Sequence, residues 1–240
     1  MVAKDTRLSL MLCSIFLIIG LFAARFGLGV EYQWVSAFFI VIMALPTIIV
    51  LATQMGLKGL FTFLSIFTLS IVVEAASIIS GLPYGNFSYS DNLGYKLLGL
   101  VPWTVGFAFT PILFGSYAIA QRLAKNAPAI VFLTATLNLL VDLVLDPAAV
   151  YSGFWFWVNP GVYYGVPIIN FVGWVFTSVI YAGIIILFLN KAILDLKLIQ
   201  PLLLILSFWS GYTLLAGLII PFILSVILLF VYWFFTRTRL

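Results

Sequence analysis

Three carboxylates, Glu74, Asp142 and Asp146, stand inside or at the end of long apolar stretches. Placing a charged acid near the centre of a membrane helix costs about 2.5–3.5 kcal/mol on insertion scales, so such an acid points to function before it points to packing. Asn138, Asp142 and Asp146 recur every four residues and therefore share one helix face. On the next apolar stretch, Asn170 and Trp174 repeat that spacing. Two neighbouring carboxylates in a low-dielectric site resist ionising together, so one keeps a proton that it can donate. Two loops rich in glycine and aromatics adjoin these acids. Gly81–Tyr95 carries Tyr84 and Tyr89, and Pro147–Pro167 carries Trp155, Trp157 and Tyr164. The plainer reading makes Glu74 and Asp142 polar glue satisfied by Ser77 or Asn138, Asp146 a loop cap before Pro147, and the aromatics an interfacial belt. The cost of the acids and the density of rings over residues 155–164 favour a site.

The rest of the chain is solvent-averse. Of 240 residues, 65% are hydrophobic and 8% charged, whereas a soluble domain is about 45–50% apolar and about 25% charged. The composition therefore specifies a polytopic membrane protein in a cell membrane. Histidine is absent and Cys13 is the one cysteine, which excludes intrachain disulfides, Cys/His zinc sites, His-ligated haem and Ser–His or Cys–His catalysis. No metal or other cofactor is called for. The net charge of +4 comes from scattered basic residues without a block, so it marks membrane orientation and not a nucleic-acid partner.

Apolar runs place helices near Leu8–Ala24, Trp34–Thr53, Gly59–Ser80, Leu97–Ala120, Pro128–Asp146 and Pro167–Asn190. Asp146-Pro147 is expected to end the fifth, because the residue before proline resists helical geometry. The tail from Pro201 to Phe235 is roughly 52 Å as one helix, too long for one span, and Gly211, Gly217 and Pro221 offer a break. With eight spans and a cytoplasmic N-terminus, Lys4, Arg7, Lys58, Arg122, Lys125, Lys191, Lys197, Arg237 and Arg239 lie inside, against Arg25 and Lys96 outside. Seven spans weaken that positive-inside bias. The expectation is one all-α membrane domain over residues 1–240, about eight spans, both termini cytoplasmic, and a surface i,i+4 pair between Lys191 and Asp195.

The two loops also resemble each other. Aligning Gly85 with Gly153 pairs Phe87 with Trp155, Tyr89 with Trp157 and Asp91 with Asn159, and after a gap Gly99-Leu-Val-Pro102 meets Gly165-Val-Pro167. Eleven residues before each glycine stand Glu74 and Asp142. This suggests a repeated helix–loop–helix unit, both copies running in the same direction.

Glu74 followed by Gly-Leu-Pro-Tyr-Gly-Asn-Phe-Ser-Tyr, then Asp-Leu-Val-Leu-Asp-Pro-Ala-Ala, Gly-Phe-Trp-Phe-Trp and Tyr-Tyr-Gly-Val-Pro-Ile-Ile-Asn-Phe-Val-Gly-Trp resembles the membrane carotenoid biosynthesis proteins that include bisanhydrobacterioruberin hydratases and related carotenoid 1,2-hydratases. The resemblance covers about residues 70–175. It implies addition of water to a terminal isopropylidene C=C of an acyclic C40 or C50 carotenoid, giving a tertiary alcohol without a redox cofactor. The substrate is then a lipid-soluble polyene drawn sideways from membrane lipid. Asp142 is expected to act as the acid and Asp146 or Glu74 as the water-orienting base, with these roles exchangeable. Asn170 and Asn138 supply hydrogen bonds, and Tyr84, Tyr89, Trp155, Trp157, Tyr164 and Trp174 wall the site. Desolvated aromatic faces can stabilise a tertiary cation by about 2 kcal/mol or more. A carotenoid end-group cyclase would use similar residues. A proton-coupled transporter would seat its acids nearer the midplane, and a purely structural scaffold leaves their cost unexplained.

Overall fold

The computed structural model describes residues 2–27, 30–190 and 192–237. Among them are seven α-helices: α1 (Val2–Phe26), α2 (Gln33–Ser80), α3 (Val105–Leu123), α4 (Ala127–Tyr151), α5 (Ile168–Leu189), α6 (Ile199–Ala216) and α7 (Ile219–Arg237). As a straight rod, α2 would run about 72 Å at 1.5 Å per residue, more than twice the roughly 30 Å of hydrocarbon. It turns back at Gly56, whose φ of 58° combined with ψ of −139° is a conformation for glycine. Ala37, near its start, lies beside Gly94 of the first long loop, and Ser77, near its end, bonds to that loop at Tyr84. Gln54, near the bend, instead bonds the Ile193 carbonyl and the Asp195 amide at the opposite end of the molecule. The arms 33–55 and 57–80 are thus two antiparallel crossings.

At the other end of the chain, α6 and α7 part at Gly217, which takes φ 73° as the α6 cap. Eight helical segments result, the number expected, and the chain is a multi-pass integral membrane protein. Lys191 and Arg239, counted in the charge balance, lie outside the described residues; Asp195 faces Lys197 at 4.0 Å.

Two boundaries differ from expectation. The fourth segment begins at Val105 and not near Leu97, because residues 96–102 form a hairpin of β2 (Lys96–Leu97) and β3 (Val101–Pro102). The fifth does not stop at Asp146: α4 runs through Pro147 to Tyr151. Proline removes one backbone donor and so frees the carbonyl four residues earlier. That carbonyl belongs to Leu143, and the Tyr163 hydroxyl donates to it at 2.9 Å. Burial first, then neighbouring Tyr164 and Asp142, push the Tyr163 phenol up to about 12, so it remains a donor.

The repeat is visible in three dimensions. β1 (Phe87–Tyr89) and β4 (Trp155–Trp157) pair antiparallel, with Phe87 opposite Trp157, Ser88 opposite Phe156 and Tyr89 opposite Trp155. Under the Gly85–Gly153 alignment, Ser88 and Phe156 are equivalent residues facing each other, and the flanking pairs exchange places. A local two-fold axis through the ribbon requires that register. Each loop then makes the same tight turn. Leu98 and Tyr164 each take φ 52°, followed by Gly99 and Gly165 also at positive φ, the two-residue pattern of a primed hairpin turn. Both turns close with a 2.9 Å bond, Leu100 to Leu97 and Val166 to Tyr163. Deeper in the bundle, Phe109 of α3 and Trp174 of α5, each seven residues beyond its matched proline, pack with centroids 5.4 Å apart. The second arm of α2 with α3, and α4 with α5, are two parallel copies about an axis along the membrane normal.

Outside this core, α1 packs along α6. Gly20 and Gly211 permit the approach: a Cβ on either would strike the backbone of the other helix, at Phe208 and Leu17 respectively. Small residues at such crossings allow the close van der Waals contact that holds membrane helices together.

Candidate active site

The repeat brings its two equivalent acids, Glu74 and Asp142, to the same depth beneath the ribbon. Asp146 adds a third carboxyl one turn above Asp142, without an acidic counterpart in the first copy. Asn170 of α5 joins the pair on α4. Its amide nitrogen donates to Asp142 Oδ2 at 3.2 Å and, by a short bond, to Asp146 Oδ2. The two aspartates lie close to each other, and the Trp155 indole lies close to Asp146. Asp142, Asp146 and Asn170 are all buried. Two carboxyls in such contact resist ionising together.

Glu74 approaches from the second arm of α2 and meets the Tyr89 phenol. Burial, and then the facing Glu74, push that phenol well above its ordinary range, so Tyr89 donates and is not a base. Its backbone is fixed as well: the Lys96 ammonium donates to the Tyr89 carbonyl at 2.7 Å while pairing with Asp91 at 2.8 Å. Glu74 Oε2, by contrast, is buried and has no hydrogen-bond partner among the described residues. Ser77 does not serve Glu74; its hydroxyl accepts from the Tyr84 amide at 2.9 Å and ties down the loop.

These groups border a cavity of about 210 Å³ that contains Glu74, Asp146 and Asn170 in a wall otherwise almost wholly apolar. No lysine or arginine among the described residues lines it. Tyr84, Tyr89, Trp155, Trp157 and Trp174 all line it. Trp157 is held by its indole N–H on the Tyr84 carbonyl at 2.8 Å, and Tyr84 by its hydroxyl on Thr177 at 3.0 Å.

Three expected site residues stand elsewhere. Asp142 lies behind Asp146 and not on the cavity wall. Asn138 sits a turn deeper, donating to Ser178 at 3.0 Å. Tyr164 is at the loop turn, where its hydroxyl accepts from the Ile220 amide at 3.4 Å.

Much of the wall escaped sequence reasoning. Phe16 and Ala23 of α1, Phe39 and Met43 of α2, and Phe208 and Trp209 of α6 complete it. Nothing in a uniformly apolar helix marks which residues face inward; the glycine pair Gly20 and Gly211 is the nearest signal.

The site is thus an acid-bearing, largely apolar cavity roofed by aromatic loops inside a membrane bundle. Residues 32–232 match the carotenoid biosynthesis protein family, and the chain belongs to it. The bisanhydrobacterioruberin hydratase of Haloarcula japonica is 35% identical over 141 residues, 57% of this chain and 48% of that protein. The chain therefore aligns with about half the length of this relative. No solved structure matches the chain.

Proposed function

We propose that this protein is a carotenoid hydratase that adds water to a terminal isopropylidene C=C of an acyclic C40 or C50 carotenoid. The observation that carries the reading is that two carboxyls, Glu74 and Asp146, face one largely apolar cavity without a lysine or arginine among the described residues that line it, with Asp142 against Asp146 behind the wall. The relative's name points to the same reaction.

In this scheme the proton shared by Asp142 and Asp146 passes from Asp146 to the less substituted alkene carbon. A C–H bond forms as the acid O–H breaks, and the electron pair of the C=C leaves a tertiary cation. The faces of Trp155 and Trp174 lie around the charge as it develops, where desolvated rings are worth about 2 kcal/mol. Water adds to the cation through oxygen, oriented by Glu74, whose free Oε2 can accept its hydrogen. The excess proton returns to the carboxyl cluster, so the net change is one water added and no electrons transferred. Asp142 acts through Asp146, and Asn170 and Tyr89 hold the two carboxyls in place. General acid–base help of this kind contributes about 10²–10⁴-fold.

The site lies at the end of the molecule that carries the long loops, where a polyene tip reaching the interface can meet water. Expression in cells that accumulate acyclic carotenoids tests the reading: pigments heavier by one water are expected, and unchanged pigments contradict it. A cyclase would give an isomer of unchanged mass.

A further inference from the structure

We infer that the end group of the polyene enters and leaves the cavity sideways, through the seam between α1 and the first arm of α2, with Phe16 and Phe39 as its gate. The substrate's identity rests on the hydratase reading; the route rests on how the cavity is walled.

Besides α6, two walls do not belong to the repeated core. α1 contributes Phe16, Ile19 and Ala23, and the first arm of α2 contributes Ser36, Phe39 and Met43. Neither helix packs along the other. α1 is fastened to α6 by the Gly20–Gly211 crossing, while α2 packs on α3, α5 and α6. What joins α1 to α2 across the cavity is the Phe16–Phe39 ring pair, edge to face at 88° with centroids 6.0 Å apart. The other sides are walled by helices that pack on one another. Directly packed helices enclose it, from α2 with α3 through α3 with α4 and α4 with α5, and α6 packs on α3 and α4. The β1–β4 ribbon covers the loop end.

The cavity is too small for a whole polyene. Its 210 Å³ is below the roughly 300–1,000 Å³ of pockets that enclose a drug-sized ligand. The body of a long chain must therefore remain outside the seam. There it meets exposed Ile15, Ile18, Phe38 and Ile42, an apolar surface suited to hydrocarbon. It follows that chain length is not read, and that a substrate with two reactive ends is released between its two hydrations.

The test is photolabelling of the unmodified chain in phosphatidylcholine vesicles, with an acyclic C40 polyene carrying a diazirine at mid-chain. Labelling that excess unlabelled polyene removes should map to residues 8–26 and 33–55, at least about tenfold above other segments, as a single gated entry requires. Competable label on α5 or α7, or none at all, overturns the route. In an Ile19→Cys/Ser36→Cys chain with Cys13→Ser, a reducible thiol cross-linker spanning the seam should lower that labelling about tenfold, with recovery on reduction. A bridge that forms and leaves labelling unchanged also overturns it. Label at the seam without any water-added product would sink the hydratase reading and keep the route; water-added product with label elsewhere would do the reverse.

Discussion

The Tyr163 hydroxyl donates at 2.9 Å to the carbonyl of Leu143, the group that Pro147 leaves without a helical partner. This bond lets α4 continue past Asp146, so that Asp142 and Asp146 remain one helical turn apart and meet Asn170 together. A tyrosine twenty residues away thereby sets the geometry of the acid pair.

Tyr163→Phe should leave that carbonyl unsatisfied, at a cost of about 1–3 kcal/mol. Thermal unfolding in detergent would report the loss of stability. Turnover should fall with it, because the end of α4 carries Asp146. An unchanged melting temperature would show that water replaces the phenol.

Substitutions at the carboxyl cluster should separate the roles. Asp146→Asn is expected to lower hydration by about 10²–10⁴-fold while the fold persists, since it removes the acid facing the cavity. Asp142→Asn should be less severe, because that residue acts through its neighbour. Rates on a purified polyene substrate check both, and an Asp146→Asn chain at full rate would remove this residue from the donor role.

The acids were legible in the sequence because hydrocarbon makes them expensive, and the repeat because Gly85, Phe87 and Tyr89 recur as Gly153, Trp155 and Trp157. The bends at Gly56 and Gly217 were legible as breaks in apolar runs. The course of α4 was not, since proline's local preference is overridden by a donor from a distant loop. Nor could the sequence decide which acid faces the cavity. A four-residue spacing places Asp142 and Asp146 on one face, but only the packed bundle shows that Asp146 lines the cavity and Asp142 does not. The contribution of α1 and α6 to the wall was hidden by uniform hydrophobicity.

The Gly20–Gly211 crossing makes a further demand. Gly211→Val should force α1 from α6, with an overpacking cost of about 1–3 kcal/mol or more. Because α1 walls the cavity, polyene binding should weaken in parallel. Chemical denaturation and tryptophan quenching by bound polyene measure the two effects; stability lost without any change in quenching would detach α1 from the site.

Eight crossings, the number expected from the sequence, would put both termini on one side of the membrane, and the basic residues favour the cytoplasm for that side. Reporters fused at either end should be active only when cytoplasmic. Activity of the two ends on opposite sides would contradict the crossing number.

The account stands most directly on the origin of the product's oxygen. The purified chain, in vesicles loaded with an acyclic polyene and suspended in oxygen-18 water, should yield a tertiary alcohol carrying the heavy isotope, and an Asp146→Asn chain should yield almost none. A product without the label, or a cyclic isomer of unchanged mass, would contradict it.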